Sequence, residues 1–328
     1  MNLTDKTLLI TGIGGFIGLR AVEIAIAKGL KVRGLEKDTS LAQKARNLGA
    51  EVIVGSVTDS SIAQKACQET DIVLHTEEVA KEGGSSKEFH RVNVDGSINI
   101  AKAARNAGVK TFVHLSNALV YGFDYPNNVT ESEQLKKEKN PYCQTKIEAE
   151  KVISQLNSPP DFGVIIIRAG DVYGPGSIPW VVRPISLMKQ KLFAYANEGK
   201  VLNHVYVDNL IDAIFLAIEK EQKGEIFNIT DGQETSPQEY FTRLAEIAGY
   251  PAPLSLGKEE IKVFLKLRCQ GQKLFRKEPD IFPEAIDFMS RPYTFSIDKA
   301  RKILNYQPAI SLDEGMSRIQ EWLKNRDE

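Results

Sequence analysis

The chain is short of the features that mark several protein classes. Its three cysteines in 328 residues, Cys67, Cys143 and Cys269, lie far apart and without metal-ligand spacing. That excludes a disulfide-stapled framework and reads as reduced thiols. The four histidines form no pair at ligand spacing, so no metal site is expected. Lysine and arginine total 42 against 43 acidic residues, interspersed along the chain. Nucleic acid, which needs a basic face, is therefore not an expected partner. No apolar run approaches the roughly 18 residues that cross a bilayer, so no transmembrane segment is expected. The opening "MNLTDKTLLITG" enters a strand pattern at once, without the basic, apolar and small-residue regions of a signal peptide. No repeat of roughly 20–50 residues is visible. These absences leave a globular, cytoplasmic protein as the expectation, and its small-molecule partner is expected from the motifs that follow.

What is present is rhythm. "KTLLITG" (6–12) is a short apolar run ending in glycine, and "FIGLRAVEIAIAKG" is a helical pattern stopped by Gly29. "KVRGLE" (31–36), "AEVIVG", "DIVLHT" (71–76), "KTFVHLS" (110–116) and "GVIIIRAG" (163–170) read as further strands. Between them lie the helical "SLAQKARNLG", "VDGSINIAKAARNAG" and "PYCQTKIEAEKVISQL". This alternation predicts parallel βαβ units, an α/β fold with a Rossmann-type doubly wound parallel sheet. From about residue 174 the rhythm breaks at the Pro/Gly-rich "GPGSIPWVVRP". We therefore expect a dinucleotide-type domain over 1–173. A smaller substrate-binding region over 174–328 would be interleaved with the sheet and carry isolated strands such as "EIFNIT". The basic, amphipathic "GKEEIKVFLKLRCQGQKLFRKE" (257–278) reads as a surface helix with snorkelling lysines. A lid or a membrane-surface contact is the sharper alternative for it.

Two clusters carry chemistry. In "TGIGGFIG", Gly12, Gly15 and Gly18 follow the first strand and open the first helix. A turn without Cβ atoms lets a pyrophosphate approach the backbone, and the helix N-terminus offers free N–H groups and positive dipole. Glu36 ends the second strand about 20 residues on, where a carboxylate bonds adenosine ribose hydroxyls and repels a 2′-phosphate. NAD is favoured, with NADP possible because Lys37 and Arg33 lie near. A solvated strand-end charge is the plain alternative for Glu36. The second cluster is Tyr142 and Lys146, four apart on a predicted helix and so on one face. An ammonium beside a phenol is expected to lower its pKa from near 10 and let it exchange a proton with a substrate oxygen. Cys143 reads as a small helix filler.

The motifs "TGIGGFIG", "RVNVDGSINI", "HLSNALVYG", "PYCQTK", "RAGDVYGPG", "VYVDNLIDA", "FNITDGQ" and "FSIDKARKILNYQPAISLDEGM" resemble, in order, the extended short-chain dehydrogenase/reductase family. Within it the chain looks like the NAD-dependent epimerase/dehydratase and 3β-hydroxysteroid dehydrogenase-like members. The resemblance implies an NAD(P)-binding Rossmann domain with Tyr142 as acid/base, and Lys146 and Asn93 around the cofactor ribose and an active-site water. It also implies cofactor contacts from Gly12, Gly14, Gly15, Phe16, Ile17, Gly18, Glu36, Lys37, Ser56, Val57, Leu115, Ser116 and Arg168, and a homodimer formed through helices that include the one bearing Tyr142.

Three positions depart from the family pattern. Asn117 stands five residues before Gly122, where a Ser or Thr usually relays the proton. An amide can hold a substrate oxygen but relays poorly. Asp171 and Leu202 stand where nucleotide-sugar members often carry Asn and Arg, which counts against a diphosphate substrate. Ser56 replaces an acid that often faces adenine. The leading reading is an NAD-dependent oxidoreductase acting on a secondary alcohol or ketone of a hydroxysteroid-like or other apolar substrate, with apolar side chains from 180–188 and from "FLKLRCQGQKLF", for which ordinary core packing is the plain alternative. The alternatives are a nucleotide-sugar epimerase or dehydratase, and a non-catalytic NAD-binding sensor or scaffold.

Overall fold

Each apolar run in the first half of the chain forms a parallel strand covered on both faces. The computed structural model describes residues 1–79, 85–136, 140–198, 201–274, 283 and 285–325. Strands β1 (Thr7–Thr11), β2 (Lys31–Glu36), β3 (Glu51–Val54), β4 (Ile72–His75), β5 (Thr111–Asn117) and β6 (Gly163–Ala169) lie in one sheet in the order 3-2-1-4-5-6. The chain then forms β7 (Asp171–Tyr173), β8 (Ala194–Ala196), β9 (His204–Tyr206), β10 (Ile226–Ile229) and β11 (Leu254–Leu256). Of these, β7 pairs with β9 and β8 with β11.

"EIFNIT" is not an isolated strand. Its core is β10, which pairs in parallel with Ile166–Ala169 as the seventh strand of the main sheet. The physical reason lies in β6, a run buried along its whole length. Without β10 its outer edge would carry unpaired backbone groups.

Helices α1 (Phe16–Ala27), α2 (Thr39–Asn47), α3 (Ser60–Cys67), α4 (Ser86–Phe89), α5 (Ser97–Asn106) and α6 (Pro141–Ser154) connect the strands. Beyond them come α7 (Arg183–Lys189), α8 (Val207–Glu219), α9 (Pro237–Ile247), α10 (Lys258–Leu274), α11 (Ala285–Met289) and α12 (Leu312–Lys324). Strand alternation sorts the core into two layers. Leu8, Ile10, Ile72 and Leu74 pack with α1, α2 and α8, whereas Leu9 and Val73 pack with α3, α5 and α6.

The strand order reverses between β1 and β4, so the connections leaving their C-terminal ends diverge and open a crevice there. The glycine turn follows β1, and Glu77 and Glu78 follow β4. Further along, α10 buries Ile261, Leu265 and Cys269 and leaves Val263, Phe264 and Leu267 exposed. Residues 275–278 of the expected basic helix lie outside the described residues. Val181 and Met188, expected along a substrate pocket, are core residues, and Trp180 packs on Tyr240 and Phe241. No helix among the described residues is long and apolar enough to cross a membrane.

Candidate active site

The turn after β1 is built for close backbone approach. Gly12 has φ +65°, a left-handed conformation that glycine adopts without penalty. A Cβ on Gly18 would stand 2.4 Å from the Gly12 carbonyl oxygen, so the helix can meet the turn only with glycine there. Gly15 begins α1 without a side-chain cap, and the first turn of α1 has no acidic residue. Its first N–H groups are thus left without a side-chain acceptor, the arrangement in which a helix start can take an anion. Phe16 and Ile17 in that first turn are half-buried and pack on the core. This cradle fits the pyrophosphate of a dinucleotide.

Glu36 is not a solvated strand-end charge. It is 5% exposed, and its carboxylate accepts from Gly14 N at 3.1 Å and Asp38 N at 3.0 Å. One side chain thus pins the glycine turn to the end of β2. Arg33 donates to the Gln68 carbonyl and to Glu51, and Lys37 is exposed.

Glu77 joins this group: a Cβ on Gly12 would lie 2.9 Å from Glu77 Cα. Burial, and then the charge of Glu36, push the Glu77 carboxyl from 4.5 up to about 7. Because the folded value lies above the unfolded one, the folded chain holds this proton more tightly. The resulting penalty is absent well below 4.5, grows as pH rises between the two values, and is complete above about 7. Glu77→Gln is therefore expected to raise stability at alkaline pH by about 1–2 kcal/mol, the gain shrinking to nothing in acid. Thermal melts across pH check this; a gain independent of pH would show that Glu77 does not titrate in that window.

The helix that carries Tyr142 and Lys146 starts where Asn140 caps it. The Asn140 side chain accepts from Tyr142 N at 2.9 Å, and Pro141 occupies the first helical position. Tyr142 is thereby fixed in the first turn, with Lys146 one turn deeper and 3% exposed. Both converge on Glu78. The Tyr142 hydroxyl donates to Glu78 at 3.1 Å to Oε2 and 3.2 Å to Oε1. Lys146 Nζ donates to Glu78 Oε2 at 2.9 Å and to the Leu115 carbonyl at 2.7 Å.

This arrangement reverses one expectation. Burial first, and then the charge and hydrogen bond of Glu78, hold the Tyr142 phenol well above its usual value instead of lowering it. The Lys146 ammonium faces a carboxylate and is already matched by it.

Asn93 locks the arrangement from behind. Its Oδ1 accepts from Val79 N at 2.7 Å, and its Nδ2 donates to Val79 O at 3.3 Å and Thr145 Oγ1 at 3.2 Å. It ties the segment carrying Glu78 to the helix carrying Lys146. Asn117 ends β5, and its Oδ1 accepts from Leu119 N at 2.8 Å. That leaves its amide N–H groups as the part able to hold a substrate oxygen. Ser116 is 3% exposed, and its hydroxyl has no partner among the described residues. Ser56 bonds Thr58, and Val57 is fully buried with its carbonyl accepting from Asn99.

Arg168 sits in a buried network. It is 3% exposed and forms a buried ion pair with Glu150, with Nη2 at 2.7 Å from Oε2. Its Nη1 donates to Tyr121 Oη at 2.7 Å and to the Glu131 carbonyl at 3.2 Å. A second buried pair joins Asp171 to Arg291, 7% and 1% exposed. Leu202 is wholly buried in the main core.

Sequence reasoning missed Glu78 and Glu77. The available signal was their position, two acids directly after a strand that borders the reversal of strand order.

Comparison with known proteins follows the same lines. The model of the NAD dependent epimerase/dehydratase family matches residues 8–230. A 4-hydroxy-2-methyl-3-oxo-4-farnesyl-3,4-dihydroquinoline-1-oxide ketoreductase of Stigmatella aurantiaca is 27% identical, with 95% of each chain covered. The 3-beta-hydroxysteroid dehydrogenase of Mycolicibacterium neoaurum is 26% identical over 94% of this chain and 89% of its own. The solved UDP-glucose 4-epimerase of Thermotoga maritima, with UDP-glucose, shares the fold at a TM-score of 0.79 and 24% identity, covering 98% of this chain and 100% of its own.

Proposed function

The chain belongs to the NAD dependent epimerase/dehydratase family, and for this NAD-dependent oxidoreductase we propose hydride transfer at a secondary alcohol or ketone of an apolar substrate. NAD, when bound, supplies the hydride acceptor or donor, and the residues of this chain supply orientation and proton movement. The glycine turn and the uncapped start of α1 would hold the pyrophosphate, and Glu36 the adenosine ribose. Tyr142 meets the substrate oxygen and exchanges its proton, Lys146 anchors the group, and an Asn117 N–H holds the oxygen.

The observation that carries this reading is the convergence of Tyr142 and Lys146 on one point within 3.2 Å, at the ligand edge of the sheet. The surroundings of Tyr142 support an apolar substrate, since it packs with Val79, Phe89, Val92 and Leu119. A ketoreductase and a hydroxysteroid dehydrogenase among the relatives support the same class. The nucleotide-sugar alternative draws support from the epimerase fold but meets Asp171, whose carboxylate already pairs with Arg291. A diphosphate there would have to compete with that carboxylate for the guanidinium.

The test mixes the protein with NAD and, separately, a 3β-hydroxysteroid, a long-chain secondary alcohol and UDP-glucose, following NADH absorbance. NADH should accumulate with one of the first two. Conversion of UDP-glucose to UDP-galactose without net NADH would replace this reading by the epimerase one. The cofactor side has its own check. Glu36→Ala is expected to weaken NAD by about tenfold, because the turn loses two charge-assisted contacts and the adenosine ribose its acceptor, and to weaken NADP less, because its 2′-phosphate is also freed of a like charge. Binding isotherms for both would show the NAD/NADP ratio narrowing; an unchanged ratio would mean the ribose is read elsewhere.

A further inference from the structure

Tyr142 has to exchange a proton with more than its substrate, and position 117 does not provide the route. When an alcohol is oxidised, the phenol receives the substrate's hydroxyl proton while already carrying one of its own. That first proton needs an acceptor within hydrogen-bond reach and a way out to water. Asn117 has no exchangeable hydroxyl, and its carbonyl oxygen is spent on Leu119 N. Among the described residues the acceptor that the Tyr142 hydroxyl meets is Glu78, at 3.1–3.2 Å. Glu78 is also the member of the trio that reaches solvent: its side chain is 28% exposed, against 4% for Lys146.

We propose that Glu78 relays protons between Tyr142 and solvent, in the role that a hydroxyl at position 117 would otherwise fill. This rests on Tyr142 being the group that meets the substrate oxygen. In oxidation, the alcohol O–H bond breaks as a new Tyr142 Oη–H bond forms, and the proton Tyr142 held moves to a Glu78 oxygen. The hydride leaves the same carbon for the nicotinamide, so the alcohol is oxidised and NAD reduced. The Glu78 carboxyl then gives its proton to water, and ketone reduction runs the same transfers backwards. Because one proton arrives as the other departs, the buried phenol never has to ionise alone. Lys146, 2.9 Å from Glu78, and the Asn93 clamp on Val79 hold the carboxylate in register.

Two measurements test this, one of them without any substrate. The ultraviolet difference spectrum between a protein and its Tyr142→Phe counterpart isolates the ionisation of this phenol. In the wild type no such ionisation should occur below about pH 10. In Glu78→Gln, with the Lys146 charge uncovered, the phenol should ionise at least about one pH unit lower than in the wild type. Second, with the alcohol from the panel that the wild type oxidises, Glu78→Ala should lower kcat about 100-fold, with KM and NAD affinity within about threefold. Formate or acetate should restore Glu78→Ala in proportion to its concentration and leave Tyr142→Phe inactive.

An unshifted phenol titration, undiminished turnover, or a loss that no small carboxylate restores would overturn the relay. Faster turnover with tighter NAD binding would overturn it too, making Glu78 an obstruction in the crevice. If the wild type oxidises nothing on the panel, the functional reading fails by itself, and the titration still decides whether Tyr142 and Glu78 are coupled.

Discussion

Tyr142→Phe is expected to lower kcat by about 10³-fold while leaving the fold and NAD affinity nearly intact. The phenyl ring keeps its packing against Val79, Phe89, Val92 and Leu119, so the apolar cluster loses no volume. Glu78 keeps Lys146 as its partner at 2.9 Å, so no buried charge is stranded. The stability cost is then that of one hydroxyl hydrogen bond, about 1 kcal/mol. What disappears is the one proton-bearing oxygen assigned to the substrate. Turnover measured beside NAD binding and a thermal melt separates these effects. A variant that keeps full turnover would remove Tyr142 from the chemistry, and one that unfolds would show that the hydroxyl is a structural element.

The second large effect is one of stability. Arg168→Met is expected to cost about 3–5 kcal/mol, because it leaves Glu150, 2% exposed, as an unpaired carboxylate in the core. The loss spreads beyond the pair. Arg168 also supports Tyr121, whose hydroxyl donates to Asn228 Oδ1 at 2.8 Å, and Asn228 N donates to Glu131 at 2.8 Å. One guanidinium therefore joins α6, the segment after β5, and β10. A melting midpoint lower by about 4–7 °C is the expected readout for a chain of this size. Pairing Arg168→Met with Glu150→Met should recover most of the loss, since two apolar side chains of similar volume leave no charge uncompensated. If the double variant is no more stable than the single one, the pair's worth lies in the hydrogen bonds to Tyr121 and Glu131.

The contrast between these residues shows what a sequence discloses. β1, β2 and β6 were legible because an apolar run bounded by glycine or charge has few alternatives in an alternating βα chain. The glycine turn was legible for the same local reason. Tyr142 and Lys146 share a face by helix geometry alone, so their proximity needed no tertiary knowledge. Glu78 was not legible in this way, because it meets Tyr142 across 64 residues, only once the fold brings the segment after β4 to the start of α6. The same dependence misled the reading of the phenol: the expected ammonium was present, but a carboxylate had reached it first. Arg168 carried a second ambiguity. An arginine at a strand end can face a ligand or a helix, and only the packing of α6 against β6 brought Glu150 to it. "EIFNIT" looked isolated because no local pattern tells which edge a late strand will join.

That late strand limits how the gene can be recombined. β10 comes from the second half of the chain, yet it completes the sheet that the first half begins. Exchanging everything after residue 173 with a relative, to transplant its substrate preference, would also replace the strand that covers the edge of β6 and the Asn228 that Tyr121 needs. A successful graft would keep 226–229 native and exchange the segments on either side of it.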